Sequence, residues 1–330
     1  MSGERILVIR YSALGDVVLA TSVLEPLRRR YPGARIEWVT SAAAAPLLAG
    51  LPGVAAVHRL GRQGEEAPRA LARRLRGRFD LAIDLQEKVK SRYLALVAAP
   101  RRLYFHRRSP GEALRALLGR DRPLARAHAP ALYAEALRPL GIEAPGRIEI
   151  AVPEPARARA REVLASARRP LVGIAPGATW ATKRWAPERF AAVADALHQA
   201  GHGLVLVAGP GDAAVVAAFR AALRAPLEAD LTSLPVDALA AALAELRLLV
   251  ACDSGPVHLA AAQGIPALVL FGPTSTVRWA PPPPGRALSL GLECQPCSNH
   301  GGERCPLGHH DCLGRLEVEA VLSAARELLQ

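Results

Sequence analysis

A glycine and a carboxylate follow the first apolar run of the chain. The run RILVIR (5–10) leads into YSALGD (11–16), and a helical stretch comes next. Gly15 lets the backbone approach a ligand closely, and Asp16 could accept a proton from a substrate hydroxyl. Asp16 could equally cap the helix that starts there. We therefore regard Ser12 and Gly15 as candidate substrate contacts, and Asp16 as either a general base or a helix cap.

A second segment combines small residues, hydroxyls and cations. It reads APGATWATKRW (175–185) and follows a strand-like run, LVGIAP (171–176). Such a loop before a helix is typical of diphosphate sites. Lys183 is one of only three lysines, and its compact ammonium suits a phosphate. We predict that Lys183 contacts a phosphorylated ligand; the alternative is a solvated basic loop.

A third segment, CDSGPVH (252–258), lies between a strand-like run and a helical one. Asp253 or Ser254 could cap this helix, which has a proline in its first turn. The same backbone N–H groups could instead bind a phosphate. Gly255 and His258 would then lie beside the ligand, although a histidine on an apolar helix is more often part of the core. The residues alone leave a phosphate site and a capped helix with a core histidine as alternatives.

Two further motifs suggest other chemistry. The segment GPGDAA (209–214) fits a dinucleotide fingerprint, with Glu228 and Asp230 at about the right distance. Pro210, however, lacks an N–H group that would face the pyrophosphate. The sequence also lacks an Asp-x-Asp motif for a divalent cation, so fixed charge at Lys183 and helix N-termini would have to bind a diphosphate without a metal.

Four cysteines cluster near the end of the chain, at Cys294, Cys297, Cys305 and Cys312. Four thiols could form a structural zinc site. The wide spacing of the second pair instead favours reduced cysteines in a rigid loop. We predict no metal, and we keep zinc at these four residues as the alternative. Cys252 is expected to be a buried, inert strand residue.

Strand-like and helical runs alternate along both halves of the chain, which predicts parallel sheets covered by helices on both faces. The predicted strands are 5–10, 34–40, 54–58, 79–85, 171–176, 203–209, 246–252 and 265–272. The predicted helices are about 16–30, 65–77, 91–99, 128–140, 187–200, 212–224, 235–246, 256–263 and 316–330. The Pro- and Gly-rich stretch at 143–156 predicts a boundary near 145–165, giving Rossmann-like domains at 1–155 and 156–330. We expect ligands in a cleft between the carboxyl ends of the two sheets, and the final helix could pack back toward the first domain.

Charge is divided unequally between the halves. Residues 1–150 hold 26 Lys and Arg against 14 Asp and Glu, whereas residues 151–330 hold 16 of each. This imbalance suggests an acidic partner for the first half, such as a phosphorylated lipid, a membrane surface or nucleic acid. The start of the chain lacks a signal-peptide pattern, and no run of eighteen residues is apolar enough to span a membrane. We therefore expect a cytoplasmic protein with reduced cysteines.

Taken in order, three blocks resemble glycosyltransferase family 9, the ADP-heptose:lipopolysaccharide heptosyltransferases. They are VIRYSALGDVVLATSVLEPLRRRYP (8–32), APGATWATKRWAPERF (175–190) and CDSGPVHLAAAQGIPALVLFGPT (252–274). The cysteine-rich segment 294–312 also looks like one that many members carry. The likeness is diffuse between residues 41 and 145.

The resemblance implies a GT-B fold, in which two Rossmann-like domains bind the acceptor and the nucleotide-sugar respectively. It implies an inverting, metal-independent transfer without a cofactor. It also implies that Asp16 is the catalytic base, that Lys183 and Thr179 contact the donor phosphates, and that residues 253–258 form the donor-binding turn. Ala13 and Ala178 stand where some members have hydroxyl residues, which weakens any inference about the particular sugar.

We therefore predict an enzyme that moves a heptose or similar sugar from an ADP-sugar to the lipopolysaccharide inner core or another anionic glycolipid. Peripheral contact with the inner membrane is expected, and a nucleic-acid partner is not. Three alternatives remain open: a nucleotide-sugar epimerase of GT-B shape, an NAD-dependent oxidoreductase, and a non-catalytic module that binds anionic lipid or nucleic acid.

Overall fold

A computed structural model describes residues 3–61, 67–106 and 127–330. The described residues form two compact units, and the chain passes from the first to the second between Pro153 and Glu154. The start of the predicted helix at 65–77 lies outside the described residues. No helix in these ranges has both the length and the apolar character needed to cross a membrane.

The first unit contains a five-stranded, all-parallel sheet with the strand order β3-β2-β1-β4-β5. Its strands are β1 (Arg5–Ile9), β2 (Arg35–Thr40), β3 (Val54–Arg59), β4 (Leu81–Asp84) and β5 (Arg101–Tyr104). The residues of β1 from Ile6 to Ile9 are fully buried. Because successive side chains of a strand point to opposite faces, both faces of this sheet are covered.

Five α-helices are described in the first unit: α1 (Leu14–Ala20), α2 (Leu24–Arg30), α3 (Pro68–Leu75), α4 (Val89–Ala98) and α5 (Ala129–Glu135). The predicted helix at 16–30 is divided, because a 3-10 turn at Thr21–Val23 separates α1 from α2. Helices α3 and α4 pack with β1 and β2 in one apolar cluster.

The second unit contains a six-stranded, all-parallel sheet with the order β11-β10-β9-β6-β7-β8. Its strands are β6 (Leu171–Ala175), β7 (Gly203–Leu206), β8 (Ala229–Asp230), β9 (Leu248–Cys252), β10 (Ala267–Leu270) and β11 (Arg286–Leu288). Its α-helices are α6 (Glu154–Val163), α7 (Pro187–Gln199), α8 (Ala213–Ala222), α9 (Val236–Leu243), α10 (Gly255–Ala262), α11 (Thr276–Trp279), α12 (Asp311–Gly314) and α13 (Val318–Leu329). The apolar face of α13 belongs to the core of this unit, where it packs with α7 and the sheet.

The prediction of two Rossmann-like parallel-sheet domains is confirmed. Three short strands escaped the prediction. Strand β5 carries two arginines, β8 has two residues, and β11 follows the proline run. Helix α6 was also missed, because its sequence EPARARAREV has only two buried residues, Ala156 and Ala160.

Candidate functional site

In each sheet, the order of the strands changes direction at the first strand of the unit, and this position is called the switch point. The predicted site residues follow the strands at the two switch points. In the first unit β1 lies between β2 and β4, and in the second β6 lies between β7 and β9. In open parallel sheets, ligands bind outside the carboxyl ends of the strands at this switch point. The segment with Asp16 follows β1. The segment with Lys183 follows β6, and the one with Asp253 follows β9.

The carboxylate of Asp16 is held by a buried arginine and a tyrosine. Its Oδ1 lies 2.7 Å from a guanidinium nitrogen of Arg10 and accepts a 3.0 Å hydrogen bond from the Tyr133 hydroxyl. The Arg10 side chain is only 2% exposed, whereas that of Asp16 is 14% exposed. An adjacent arginine favours the ionised form of a carboxylate. Asp16 is therefore held in one orientation beside a cation, with part of its side chain open to solvent.

Asp16 also caps the helix, as one of the two sequence interpretations predicts, and its role as a general base stays a prediction. It lies in the first turn of α1, and its Oδ2 accepts a 3.3 Å hydrogen bond from the backbone N–H of Ala13. Because the cap uses Oδ2 and the pair with Arg10 uses Oδ1, capping does not conflict with acid–base chemistry at this residue.

The loop with Ser12 is fixed by a glutamine that follows β4. The Oε1 of Gln86 accepts hydrogen bonds from the N–H groups of Tyr11 and Ser12, at 2.9 and 3.1 Å. Its amide nitrogen donates to the Ser12 hydroxyl at 3.0 Å. Ser12 itself is exposed and Gly15 is buried. Of these two residues Ser12 presents its side chain to solvent, and the contacts of both with a substrate stay predictions.

Beneath Gln86 lies the buried carboxylate of Asp84. It accepts hydrogen bonds from the backbone N–H of Gln86 and from the Ser91 hydroxyl, both at 2.9 Å. Burial raises the pKa of Asp84, and these two hydrogen bonds oppose the shift. Asp84 thus fixes the turn between β4 and α4, and through Gln86 it supports the loop beside Asp16.

In the second unit the ammonium group of Lys183 is held by a buried carboxylate. Lys183 Nζ lies 2.8 Å from Oδ2 of Asp253, which also accepts a 2.6 Å hydrogen bond from the Thr274 hydroxyl. The side chains of Lys183 and Asp253 are 14% and 7% exposed. The loop is therefore folded inward, and the alternative of a solvated basic loop is wrong for Lys183. This lysine can present a fixed positive charge to a phosphate.

The turn at 252–255 leaves the start of α10 without a side-chain cap. Ser254 is the N-terminal cap residue, yet its hydroxyl donates to the carbonyl of Cys252 at 3.1 Å. Asp253 is committed to Lys183. The expectation that one of these two side chains caps the helix is therefore wrong, and the backbone at Gly255 remains suited to an anion.

His258 lies in the first turn of α10 and is buried. Its ring lies beside that of Trp279 on α11, with 6.4 Å between centroids. Trp279 in turn lies 6.5 Å from the ring of His300, in the cysteine-rich segment. Three aromatic rings thus line up next to the start of α10, where they could border an adenine or a sugar.

The cysteine-rich segment contacts the loop that carries Lys183. Thr182 and Gly302 are joined by hydrogen bonds in both directions, at 2.9 to 3.0 Å. His310 Nε2 lies 2.8 Å from the Thr182 carbonyl oxygen. Gly301 has a φ of +91°, and a Cβ there would lie 2.9 Å from Cγ and Cδ of Lys183. This close approach indicates that the segment positions the Lys183 side chain.

Thr179 and the exposed Trp180 precede this lysine on the same loop. The guanidinium of Arg184 donates to the Ala178 carbonyl at 2.8 Å and so closes the loop. Thr179 is exposed to solvent on this loop, and its contact with a donor phosphate stays a prediction.

The cysteines are all unbridged thiols. Burial raises the pKa of Cys252 to about 12 and that of Cys312 to about 11. Within residues 3–61, 67–106 and 127–330, no group of three or more His, Cys, Asp or Glu side chains is arranged to hold a metal ion. The zinc alternative at residues 294–312 gains no support from this geometry.

The segment at 209–214 is used for packing. It forms a 3-10 turn, and the Asp212 carboxylate accepts a 2.9 Å hydrogen bond from the Gly209 N–H. The same carboxylate fills the space next to Gly177, where a Cβ would collide with it. A negative group that occupies this turn disfavours a pyrophosphate there.

Sequence reasoning missed Arg10, Tyr133, Gln86 and Thr274, which hold the predicted residues in place. An arginine at the end of the apolar run RILVIR was the only visible signal, because a buried arginine requires a carboxylate partner. Nothing in the spacing pointed to Tyr133, which lies 117 residues from Asp16.

These two sheets, each with a charged side chain at its switch point, define a two-domain α/β protein of the kind that binds nucleotide-type ligands. The sequence model of "Glycosyltransferase family 9 (heptosyltransferase)" matches residues 68–307. The chain therefore belongs to glycosyltransferase family 9 and is an enzyme that transfers a sugar, which confirms the resemblance seen in the sequence.

Individual relatives agree with this assignment. The lipooligosaccharide heptosyltransferase 2 of Haemophilus ducreyi is 29% identical over 318 residues, covering 87% of this chain and 88% of the relative. A glycosyl transferase of family 9 from Veillonella parvula superimposes with a TM-score of 0.83 at 25% identity, covering 99% and 97% of the two chains. The ADP-heptose lipopolysaccharide heptosyltransferase II of E. coli gives 0.76 at 26% identity, covering 98% of each. The fold is thus the GT-B fold of these heptosyltransferases.

Proposed function

We propose that this enzyme moves a heptose, with inversion, from ADP-heptose to the inner core of lipopolysaccharide or a similar anionic glycolipid. The observation that carries the proposal is the pair of held charges, a carboxylate at one switch point and an ammonium at the other. The heptosyltransferases to which this chain is similar suggest the sugar, the nucleotide and the acceptor class.

The first unit supplies the base. In a single displacement, the acceptor hydroxyl oxygen attacks the anomeric carbon of the heptose as the bond from that carbon to the diphosphate breaks. Asp16 takes the hydroxyl proton, which typically accelerates transfer about 10²–10⁴-fold. Arg10 and Tyr133 hold the carboxylate in one orientation, and Ser12 lies exposed in the adjacent loop to meet the acceptor.

The second unit stabilises the leaving group. The negative charge that develops on ADP would be met by Lys183 and by the N-terminus of α10 at Ser254 and Gly255. Fixed donors of this kind are worth about 10²–10³-fold in rate. Thr179 and His258 complete the proposed donor site. Because Lys183 provides the positive charge that a metal ion would otherwise supply, we propose that transfer needs no metal or other cofactor.

The acceptor accounts for the excess charge of the first half. A phosphorylated, lipid-linked saccharide is anionic, and the first 150 residues carry 26 cationic side chains against 14 anionic ones. We further propose that the enzyme works in the cytoplasm, in peripheral contact with the inner membrane where such an acceptor is anchored.

The test is transfer with a panel of donors. ADP-heptose, UDP-glucose and GDP-mannose are each incubated with the enzyme and a deacylated inner-core acceptor, and the products are identified by mass spectrometry. We expect transfer from ADP-heptose alone, and we expect NMR to show that the anomeric configuration of the product is opposite to that of the donor. Transfer from a different nucleotide sugar would refute the donor assignment.

The same assay separates the alternatives that the sequence left open. An epimerase would change the donor sugar without an acceptor. An NAD-dependent oxidoreductase would turn over NAD, although the carboxylate of Asp212 occupies the turn where its pyrophosphate would lie. A non-catalytic module for lipid or nucleic acid would produce no glycoside, and its binding would fall steeply with salt.

A further inference from the structure

Helix α4 of the first unit is apolar on two opposite faces. Leu94, Ala95 and Ala98 are fully buried in the core. On the outer face, the side chains of Val89, Tyr93 and Leu96 are 86%, 42% and 57% exposed. Their spacing of four and then three residues places them along one stripe of the helix.

This stripe is an unusual concentration of exposed apolar surface. Seven large apolar side chains are exposed in the described part of the chain, and three of them lie on α4. The other four are Trp180, Val277, Leu290 and Leu307, in separate segments of the second unit. Single exposed apolar residues are ordinary, but a cluster marks a surface that binds something.

Cations flank the stripe. Lys88, Lys90 and Arg92 are all exposed, and no acidic residue occurs between positions 88 and 98. Lys88 and Lys90 are two of the three lysines in the chain. Long cationic side chains beside an apolar stripe suit the boundary of an anionic bilayer, where the stems lie in the apolar layer and the ammonium groups reach the phosphates.

The stripe begins close to the proposed acceptor site. Helix α4 starts five residues after Asp84, the last residue of β4, and β4 pairs with β1. Between strand and helix lies Gln86, whose side chain holds the loop at Ser12. The first turn of α4 is therefore at the same sheet edge as Asp16.

We propose that α4 docks this enzyme on an anionic phospholipid bilayer, with Val89, Tyr93 and Leu96 in the headgroup boundary and Lys88 and Lys90 on the lipid phosphates. This inference rests on the proposed function, in which the acceptor is lipid-linked. Docking through α4 holds the edge of the sheet with Asp16 next to the membrane surface, where the saccharide of such an acceptor projects.

Flotation with vesicles tests the surface. The full-length protein is mixed with vesicles of equal parts phosphatidylcholine and phosphatidylglycerol, and separately with phosphatidylcholine alone. We expect the wild type to float with the anionic vesicles only. The triple variant V89S/Y93S/L96S should bind them roughly a hundredfold more weakly, because three apolar side chains no longer enter the bilayer.

A second pair of variants separates charge from apolar contact. K88Q/K90Q should weaken binding by roughly fivefold per lysine at low salt. The matched control L290S/L307S removes two exposed apolar side chains from the second unit and should float like the wild type. Equal loss in this control, or full binding by the triple variant, would overturn the proposal.

Two more measurements make the outcome decisive. If the wild type is a dimer in light scattering and the triple variant is a monomer, a second copy covers the stripe and the proposal is wrong. Transfer to a deacylated, water-soluble acceptor should be the same in the triple variant and the wild type, whereas transfer to vesicle-bound acceptor should fall. A wild type that floats but transfers nothing would refute the proposed function and leave the docking surface standing.

Discussion

Each of the two switch points holds an ion pair with one buried and one more exposed member, and the more exposed members have opposite charges. In the first unit the anion Asp16 is the more exposed member of its ion pair, and the cation Arg10 is buried. In the second unit the cation Lys183 is the more exposed member, and the anion Asp253 is buried. The same sheet architecture thus offers a negative group at one site and a positive group at the other.

The proposed function accounts for this difference. A hydroxyl nucleophile needs an acceptor for its proton, whereas a departing diphosphate needs positive charge. In both units a buried counter-ion holds the more exposed charged group, and a hydroxyl donates to the carboxylate of the pair, which is Asp16 in the first unit and Asp253 in the second. Those donors are the hydroxyls of Tyr133 and Thr274. The comparison predicts that a substitution at Asp16 lowers turnover alone, whereas a substitution at Lys183 also weakens ADP binding.

The largest effect is expected from Asp16→Asn. The amide keeps the shape and can still accept the hydrogen bond from Tyr133, but it is a far weaker base. We expect kcat to fall about 10²–10⁴-fold, while the Kd for ADP, measured by calorimetry, stays unchanged. The matched control is Asp80→Asn, which changes an exposed aspartate paired with Arg5 at the opposite edge of the same sheet. If Asp16→Asn kept the kcat of the wild type, Asp16 would not be the base and the proposed difference between the two sites would be wrong.

The two sites also show which of their residues can be predicted from the sequence and which cannot. Asp16, Lys183 and Asp253 each follow a long buried strand, so their positions at the sheet edges could be predicted. Their partners could not, because Tyr133 and Thr274 come from distant segments that only the folded chain brings near. The edge strands β5 and β11 were missed for a related reason, since their arginines hide the apolar signal of a strand.

A second prediction concerns Lys183→Met. Loss of the ammonium should weaken binding of ADP and also slow transfer, with a combined loss of about 10²–10³-fold in kcat/KM. Asp16→Asn should change turnover alone, so the two variants separate the two sites. Lys90→Met removes an exposed lysine of the first unit and should leave the Kd for ADP unchanged. If Lys183→Met bound ADP as tightly as the wild type, the assignment of Lys183 to the donor site would be wrong.

A smaller effect is expected from Gly301→Ala, which tests how the cysteine-rich segment positions Lys183. The new methyl would press on the lysine stem and on Cβ of Trp180 in the same loop, and we expect about tenfold weaker ADP binding from a displaced charge. Gly308→Ala is a closely matched control. Gly308 has a comparable φ of +77°, but nothing lies within 4 Å of its Cβ position. Both variants carry the same kind of backbone strain, so equal ADP affinities would mean that the contact with Lys183 has no role.

The smallest effect concerns thiol chemistry, which reports on the second unit alone because all five cysteines lie between residues 252 and 312. Burial raises the pKa of Cys252 to about 12, so the thiol stays protonated and unreactive at pH 8. We expect iodoacetamide to leave Cys252 unmodified in the native enzyme and to label it in urea, as read by peptide mass spectrometry. Rapid native labelling of Cys252 would mean that β9 opens readily. The turn after β9, which carries Asp253, would then hold Lys183 less firmly. The switch point of the second unit would be less rigid than that of the first.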